Sequence, residues 1–312
     1  MDRVIVAVMG PTAVGKTSAA IEIAKNINGE IVSCDSMQLY KYMDIGSAKP
    51  TEEEQALAKH HLVDCVDPRE PFSVAMYRDL AKNAIEQLFA EGKRPVIAGG
   101  TGLYLNSLIY DMDFAARPAN DGTRAALYAM EDDEPGRLHE ILTELDHEAA
   151  ERIHPNNTKK LVRAVEAAMS GERVMDFSKD LKRTADYGII LIGLERDRAE
   201  LYDRIDRRVD ILMEQGLADE VKRLMAMGLT ASDISMKGIG YKELIDHFNG
   251  EYDMEEAVRL IKRNTRHYAK RQMTWFRRYK DAVWFNLSSY TDQNEAFAEI
   301  VSFVKGKLEH CD

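Results

Sequence analysis

The chain has 312 residues, of which 45% are apolar and 30% charged, and its net charge is −11. This length predicts one large domain with an insertion, or two domains, and the acidity argues against a protein that coats nucleic acid without selectivity. No run of about 18 apolar residues occurs, so we expect no transmembrane helix, and three cysteines without metal-ligand spacing (Cys34, Cys65 and Cys311) predict a reducing, cytoplasmic environment.

The N-terminal residues predict a strand, a phosphate-binding loop and a helix. Val4–Met9 is an apolar run typical of a buried strand, and the three residues before it leave no room for a signal peptide. Residues 10–17, Gly-Pro-Thr-Ala-Val-Gly-Lys-Thr, fit the G-x-x-x-x-G-K-[ST] pattern, and a helical pattern over Thr17–Ile27 follows them. The alternative is a glycine turn between two core elements.

In such a loop, backbone N–H groups form an anion site at a helix N-terminus. The Lys16 ammonium adds a positive charge, and the Thr17 hydroxyl can ligate Mg²⁺ between phosphates. We therefore predict a di- or triphosphate site with Mg²⁺ as cofactor. Its predicted residues are Gly10, Thr12, Ala13, Val14, Gly15, Lys16 and Thr17, with Thr17 as the metal ligand.

The next elements alternate between strand and helix. Glu30–Ser33 predicts a second strand, Ser73–Ala90 a helix, and Pro95–Ala98 a strand that runs into residues 99–102, Gly-Gly-Thr-Gly. This alternation predicts an α/β fold with a doubly wound parallel sheet, as in P-loop NTPases, with ligands at the carboxyl ends of the strands. Asp35 and Thr101 both follow strand ends, so we expect both to face the phosphate loop.

Strand signals disappear between residues 113 and 185, where helices are predicted instead. We predict a P-loop core made of residues 1–112 and 186–312, interrupted by a helical insertion of residues 113–185. The helices predicted in the insertion are Thr123–Asp132, Gly136–Leu145 and Lys159–Met169. After it we predict the strands Tyr187–Gly193 and Ala282–Phe285, the helices Ala199–Gln215, Ala218–Met227, Tyr241–Phe248 and Met254–Arg278, and a closing helix.

One segment of this acidic chain is strongly basic. Between Arg259 and Lys280 there are nine Lys or Arg residues and no Asp or Glu. A local basic face favours a selective RNA or DNA partner. The alternative is an ordinary solvated helix face.

The residues near the loop favour group transfer over nucleotide hydrolysis. Hydrolases of the P-loop class need an aspartate at a neighbouring strand end, whereas the strand Pro95–Ala98 runs into Gly-Gly-Thr. Bound phosphates would repel Asp35, so we interpret it as a base or hydrogen-bond acceptor for a second substrate. The alternative for Asp35 is a helix N-cap, a role for which Ser36 competes.

Several motifs follow one another along the chain in the order of one known family. They are the phosphate loop and residues 35–38, 43–50, 60–62, 99–104, 153–156, 239–242 and 265–277. With these motifs the chain resembles the bacterial type of tRNA dimethylallyltransferase (tRNA isopentenyltransferase) along most of its length, and we expect no zinc-finger extension. The resemblance implies transfer of a dimethylallyl group from dimethylallyl diphosphate to N6 of the adenosine that follows the anticodon in tRNA, with release of diphosphate.

The resemblance also implies roles for individual residues. Asp35 matches the base that accepts the N6 proton, Arg208 an arginine that contacts the diphosphate, and Thr101 a position on the tRNA route that we count with the catalytic residues. On sequence alone, a surface salt bridge remains the alternative for Arg208. The implied tRNA-binding residues are Asp35, Ser36, Met37, Gln38, Thr101, Lys159, Lys160, Leu161, Val162 and Arg163.

Some positions leave room for other interpretations. Tyr104, Tyr268, Trp275 and Phe276 could stack bases, but helical spacing favours a core position for the last two. Tyr42 stands where the family has glycine, so we expect a slightly different turn there. The segments 113–122 and 172–186 match no part of the family pattern.

Three alternative functions stay open. One is a small-molecule kinase that uses ATP and takes Asp35 as base, and another is a prenyltransferase for free adenine nucleotides, which would leave the basic stretch without a purpose. The third is a non-catalytic RNA-binding module switched by nucleotide. For the favoured function we expect tRNA and dimethylallyl diphosphate as partners, no membrane, and a monomer.

Overall fold

The computed structural model describes residues 3–112, 121–172, 174 and 181–310. Contacts divide the chain into two compact units: a catalytic unit of Met1–Ile109 and Thr184–Asp312, and an insertion unit of Tyr110–Arg183. The predicted insertion began three residues later, at position 113, and ended at position 185. Residues 113–120 and Cys311, on which parts of the predictions fall, lie outside the described residues.

A parallel six-stranded sheet, in the order β3-β2-β4-β1-β5-β6, forms the centre of the catalytic unit. Its central strand β1 pairs with β4 and β5, and Met9 lies opposite both Gly99 and Gly193. The strands are β1 Val4–Met9, β2 Gly29–Ser33, β3 His60–His61, β4 Arg94–Gly99, β5 Gly188–Glu195 and β6 Val283–Asn286. This architecture confirms the predicted P-loop-like α/β class, with strand ends that meet at one edge.

Thirteen helices are present in the described part of the chain. In chain order they are α1 Lys16–Asn26, α2 Glu52–Leu57, α3 Val74–Ala90, α4 Gly102–Ile109, α5 Asp121–Asp133, α6 Arg137–Leu145, α7 His147–Arg152, α8 Thr158–Met169, α9 Arg198–Glu214, α10 Leu217–Ala226, α11 Tyr241–Phe248, α12 Met254–Phe276 and α13 Gln293–Glu309. Among them, α5 to α8 belong to the insertion unit. None of the helices in these residues is long and apolar enough to cross a bilayer.

Side chains of β1 alternate between the two faces of the sheet, as strand geometry requires. Val4, Val6 and Val8 pack with α1 and α13 in one apolar core, where all three are at most 5% exposed. On the opposite face α3 packs against β2 and β4, and the Tyr77 hydroxyl of α3 donates to the Ser33 carbonyl at 3.0 Å. Since helices cover both faces, the carboxyl edge of the strands remains to form a site.

The insertion unit has an apolar core of its own. Leu138 and Leu142 of α6 and Leu161 and Val165 of α8 are fully buried in it. Spacings of three and four residues place these side chains on the inner faces of their helices. Burial of a leucine or valine side chain contributes about 1.5–3 kcal/mol, so these helices are stabilised mainly by packing.

Candidate active site

The phosphate loop lies between β1 and α1, in a backbone conformation that depends on glycine. A side chain on Gly10 would place its Cβ 2.6 Å from the Leu194 carbonyl oxygen, and Gly15 has φ 115° where α1 begins. The Lys16 ammonium folds back over the loop and donates to the Pro11 carbonyl at 2.8 Å. This conformation places Lys16 at the N-terminus of α1, the part of a helix that favours anions.

The surroundings of Lys16 favour the binding of an anion. Burial lowers the pKa of Lys16 to about 8, with the Asp35 charge raising it and the Arg208 charge lowering it further. The side chain keeps part of its surface open to the cleft. A bound diphosphate would favour the charged ammonium, because an opposite charge offsets the desolvation.

Two arginines of α9 extend this positive region. Arg204 donates from Nε to the Ala13 carbonyl of the loop at 3.0 Å. Burial also lowers the pKa of Arg208, which the charges of Asp35 and Glu54 partly oppose. Within the described residues, Arg208 has no ion pair or hydrogen bond, so a surface salt bridge does not explain it.

Asp35 follows β2 and faces these cations. Its Oδ1 accepts the Met37 N–H at 2.9 Å, and residues 36–39 form a turn. The N-cap alternative for Asp35 is therefore wrong, because no helix starts there. Asp35 is close enough to Lys16 and Arg208 to raise the pKa of both groups. Asp35 lines the cleft together with Lys16 and Arg208.

Thr101 connects the strand β4 to the turn that follows β2. Its Oγ1 accepts the Ser36 N–H at 3.0 Å, and its own N–H donates to the Cys34 carbonyl at 3.1 Å. Gly99 has no room for a side chain, since a Cβ would lie 2.0 Å from the Cys34 carbonyl oxygen. The structure thus brings Thr101 and residues 35–38 together and holds Thr101 by hydrogen bonds. Among the described residues, Asp35 lines the cleft at the phosphate loop, as expected, whereas Thr101 does not line it.

Gln272 of α12 has a role that the sequence did not reveal. The side chain, 5% exposed, accepts the Thr12 N–H at 2.8 Å and donates to the Gly100 carbonyl at 2.9 Å. It therefore ties the phosphate loop to the loop that carries Thr101. Helical spacing places Gln272 on the inner face of α12, but the spacing does not indicate which backbone groups this glutamine would bind.

A cleft of about 1280 Å³ begins at the phosphate loop and continues past Asp35 and Arg208 to residues 44–51. At its wall, the Gln38 amide accepts from the Ser33 hydroxyl at 3.0 Å and donates to the Ala48 carbonyl at 3.2 Å. Gln38 is thus partly occupied in holding the wall, while Ser36 and Met37 line the same space.

The aromatic candidates divide between cleft and core. Tyr268 lines the cleft, where burial and the Asp35 charge raise its pKa while a hydrogen bond with Thr101 opposes the shift. Tyr104 also reaches the cleft but stacks on Tyr77, with ring centroids 4.0 Å apart. Phe276 is buried as predicted, whereas Trp275 is only half-buried beside Gly102.

The predicted RNA-contacting residues of α8 separate by helical face. Lys159, Lys160 and Arg163, called the α8 cations below, are exposed and have no ion-pair partner within the described residues. Leu161 and Val162, in contrast, are at most 1% exposed in the core of the insertion unit. Their side chains pack the helix and cannot contact RNA, which corrects the predicted set.

The basic stretch is partly structural. Four of its nine cations form ion pairs: Arg259 with Glu256, Lys262 with Asp210, Arg266 with Asp206 and Arg277 with Glu195. Two further arginines lie over aromatic rings, Arg271 over Tyr268 and Arg278 over Trp275. Both the RNA-face and the solvated-face interpretations therefore keep some support.

A divalent cation has few protein ligands at this site. Thr17 lines the cleft at the start of α1, and the described residues hold no cluster of three His, Cys, Asp or Glu side chains suited to a metal. Mg²⁺ commonly takes most of its ligands from phosphates and water, with one or two from protein. The single Thr17 hydroxyl fits that coordination.

Comparison with known proteins identifies the family of this chain. A tRNA dimethylallyltransferase of Alkaliphilus oremlandii is 52% identical over 304 residues, covering 96% of each chain. The crystal structure of a tRNA isopentenylpyrophosphate transferase from Bacillus halodurans superposes with a TM-score of 0.75 at 41% identity, covering 99% of this chain and 98% of that one. A eukaryotic dimethylallyltransferase acting on tRNA superposes with a TM-score of 0.82 at 25% identity, over 98% and 80% of the two chains. Residues 38–279 match the family described as IPP transferase, and the chain belongs to that family.

Proposed function

We propose that this protein transfers a dimethylallyl group from dimethylallyl diphosphate to tRNA, at N6 of the adenosine that follows the anticodon. One observation carries the proposal most directly: in an IPP transferase family chain, a cleft joins a cationic phosphate loop to the Asp35 carboxylate. The relatives compared above are transferases of this kind acting on tRNA.

The cationic end of the cleft would stabilise the leaving group. Negative charge grows on the diphosphate as the allylic carbon–oxygen bond breaks, and fixed donors stabilise charge where it develops. The N–H groups of the loop and the Lys16 ammonium are suited to that task. So is the Arg208 guanidinium, which has no ion pair or hydrogen bond among the described residues. Thr17 would hold Mg²⁺ together with phosphate oxygens, and the bound ion would supply further charge neutralisation.

Asp35 would act as a base toward the acceptor substrate. The N6 amine of adenine is a poor nucleophile, so a carboxylate that accepts its proton assists the attack on the allylic carbon. The adenine must leave its stack to reach a buried donor. The turn 35–38, held by Thr101 and Gln38, would receive the extruded base.

The rest of the tRNA would contact positive surfaces. The α8 cations are exposed and free of carboxylates in the described part of the chain, as contacts to phosphates require. We further propose a monomer that acts in the cytoplasm. Cys34 and Cys65 are free thiols, as expected in a reducing compartment.

Transfer of labelled substrate tests the function. The protein is incubated with labelled dimethylallyl diphosphate or with γ-labelled ATP, each with and without unmodified tRNA and with adenosine monophosphate as competing acceptor. We expect label from the prenyl donor in tRNA alone. Label in the nucleotide would identify an adenine-nucleotide prenyltransferase, and transfer from ATP would identify a kinase. Binding of tRNA without any transfer would favour the non-catalytic RNA-binding module.

A further inference from the structure

A carboxylate behind the cleft wall has an unusual number of hydrogen bonds. Glu220 of α10 is 1% exposed. Its Oε2 accepts the N–H groups of Asp44 and Ile45 at 2.8 Å each. Its Oε1 accepts the Gly46 N–H at 3.0 Å and the Tyr241 hydroxyl at 2.8 Å. Four donors compensate the burial of this charge, and they bind three consecutive residues to one side chain.

The three residues belong to a segment that forms one wall of the cleft. Residues 43–50, called the acceptor loop here, line the cleft with Asp44 to Pro50. Within the loop, the Ala48 N–H donates to the Ile45 carbonyl at 2.9 Å. The Ala48 carbonyl in turn accepts from the Gln38 amide at 3.2 Å. Displacement of the loop would therefore displace the turn that holds Asp35.

Tyr241 fixes how closely the loop approaches α11. A Cβ on Gly46 would lie 2.5 Å from the Tyr241 ring, so the backbone of the loop contacts the ring directly. The same ring presents its hydroxyl to Glu220 and is itself fully buried. The loop therefore has one hydrogen-bonded support and one steric support, both outside the cleft.

We infer that Glu220 is a positioning residue for the RNA acceptor, which acts with Tyr241 by holding the acceptor loop and, through Gln38, the turn 35–38. The inference rests on the proposed function for its substrate. Neither Glu220 nor Tyr241 lines the cleft, so both act through the loop. No hydrogen bond joins the acceptor loop to the phosphate loop within the described residues, so donor binding should be independent of Glu220.

Steady-state kinetics with both substrates tests this role. In Glu220→Gln the amide cannot accept at both positions, so a buried N–H loses its partner and the loop shifts. We expect kcat/KM for tRNA to fall ~10–100-fold, the scale for small misplacements at a site, while KM for dimethylallyl diphosphate stays unchanged. Tyr241→Phe, which deletes only one of the four hydrogen bonds, should show the same pattern more weakly.

Glu30→Gln is the matched control. Glu30 is also buried, but His61 and Lys93 hold it, away from the acceptor loop. We expect it to lower the melting temperature without changing either kinetic parameter, when all variants are assayed well below their melting temperatures. An equal loss of kcat/KM for tRNA in this control would reduce the role of Glu220 to general stability and overturn the inference.

Hydrogen exchange on the peptide of residues 43–50 measures the support without any substrate. The amides of residues 44–46 should exchange at least tenfold faster in Glu220→Gln than in the unmodified protein, corresponding to about 1.4 kcal/mol of lost protection. Unchanged exchange, or unchanged kcat/KM for tRNA in an active protein, overturns the inference. An unmodified protein that transfers nothing would contradict the proposed function instead, and exchange would still decide whether Glu220 holds the loop.

Discussion

Replacing Lys16 by methionine should stabilise the ligand-free protein while it abolishes diphosphate binding. Methionine keeps most of the volume of the lysine stem and removes the charge. A lysine pKa lowered from 10.5 to about 8 corresponds to an upper limit of ~3 kcal/mol of destabilisation by the charged form. The lost hydrogen bond to the Pro11 carbonyl offsets ~1 kcal/mol of the gain. The net expectation is a gain of ~1–2 kcal/mol at pH 7.

The sign of this effect fixes its pH dependence. Because the folded-state pKa is depressed, the charged lysine destabilises the protein fully below pH 8. The penalty then fades between pH 8 and the unfolded value of 10.5, as the amine becomes neutral in both states. The melting temperature of Lys16→Met should therefore exceed that of the unmodified protein by a few degrees at pH 7, and the difference should shrink towards pH 10.

Inorganic diphosphate completes the assay. At a hundred times its Kd, diphosphate should stabilise the unmodified protein by ~2.7 kcal/mol and so raise its melting temperature. It should have little effect on the melting temperature of Lys16→Met. A variant that is less stable than the unmodified protein at pH 7, or an advantage that does not depend on pH, would refute the reasoning. Diphosphate stabilisation equal in both proteins would remove Lys16 from the anion site.

Four further substitutions test the remaining parts of the site. Asp35→Asn keeps an oxygen for the Met37 N–H, so the melting temperature should stay unchanged. Because the base is lost, single-turnover transfer should fall ~10²–10⁴-fold, and near-normal transfer would show that Asp35 is not a base. Gln272→Met leaves a buried N–H and a buried carbonyl unpaired, so it should lower the free energy of unfolding by ~2–4 kcal/mol. It should also raise the KM for the donor, and an unchanged donor KM would contradict the role of Gln272 in tying the two loops together. Replacing all three α8 cations by glutamine should reduce the slope of log tRNA affinity against log salt concentration by up to about three phosphate contacts. An unchanged slope would place these cations on an ordinary solvated helix face. Tyr42→Gly should stabilise the protein by ~0.5–1 kcal/mol in urea denaturation, because Tyr42 is exposed and has φ 67°; a loss of stability would show that its ring contributes more than the strain costs.

The parts of the fold that follow regular patterns could be predicted from sequence. Helix and strand bounds agreed within about two residues where periodicity or capping was clear; α3 begins after its Ser73 cap. Helix α4 was missed because nearly every side of it is buried, from Tyr104 to Ile109, so no polar face marks its period. The two-residue strand β3 is too short to leave any pattern.

Only those residues of the site that belong to a local sequence motif could be predicted. The phosphate loop and Asp35 stand in local patterns with known chemistry, and parallel strand ends explain why they meet. In the sequence Glu220 looks like an ordinary charged residue of a surface helix, because its three partners in the acceptor loop lie 174 to 176 positions away. Leu161 and Val162 stand in the same run of sequence as the α8 cations, but helix geometry separates that run into a buried and an exposed face.

The way the chain leaves and re-enters the catalytic unit bears on how such an architecture is assembled. The Thr184 N–H donates to the Ile109 carbonyl at 3.1 Å, and the Asp111 N–H donates to the Lys182 carbonyl at 2.9 Å. The outgoing and returning strands thus form a short antiparallel ladder, whose ends are about 5 Å apart, a gap that a two-residue turn can close. A whole subdomain of 74 residues can therefore be gained, lost or exchanged at this point without a change in the register of the sheet. Evolution can vary the insertion unit while the sheet of the other unit stays unchanged.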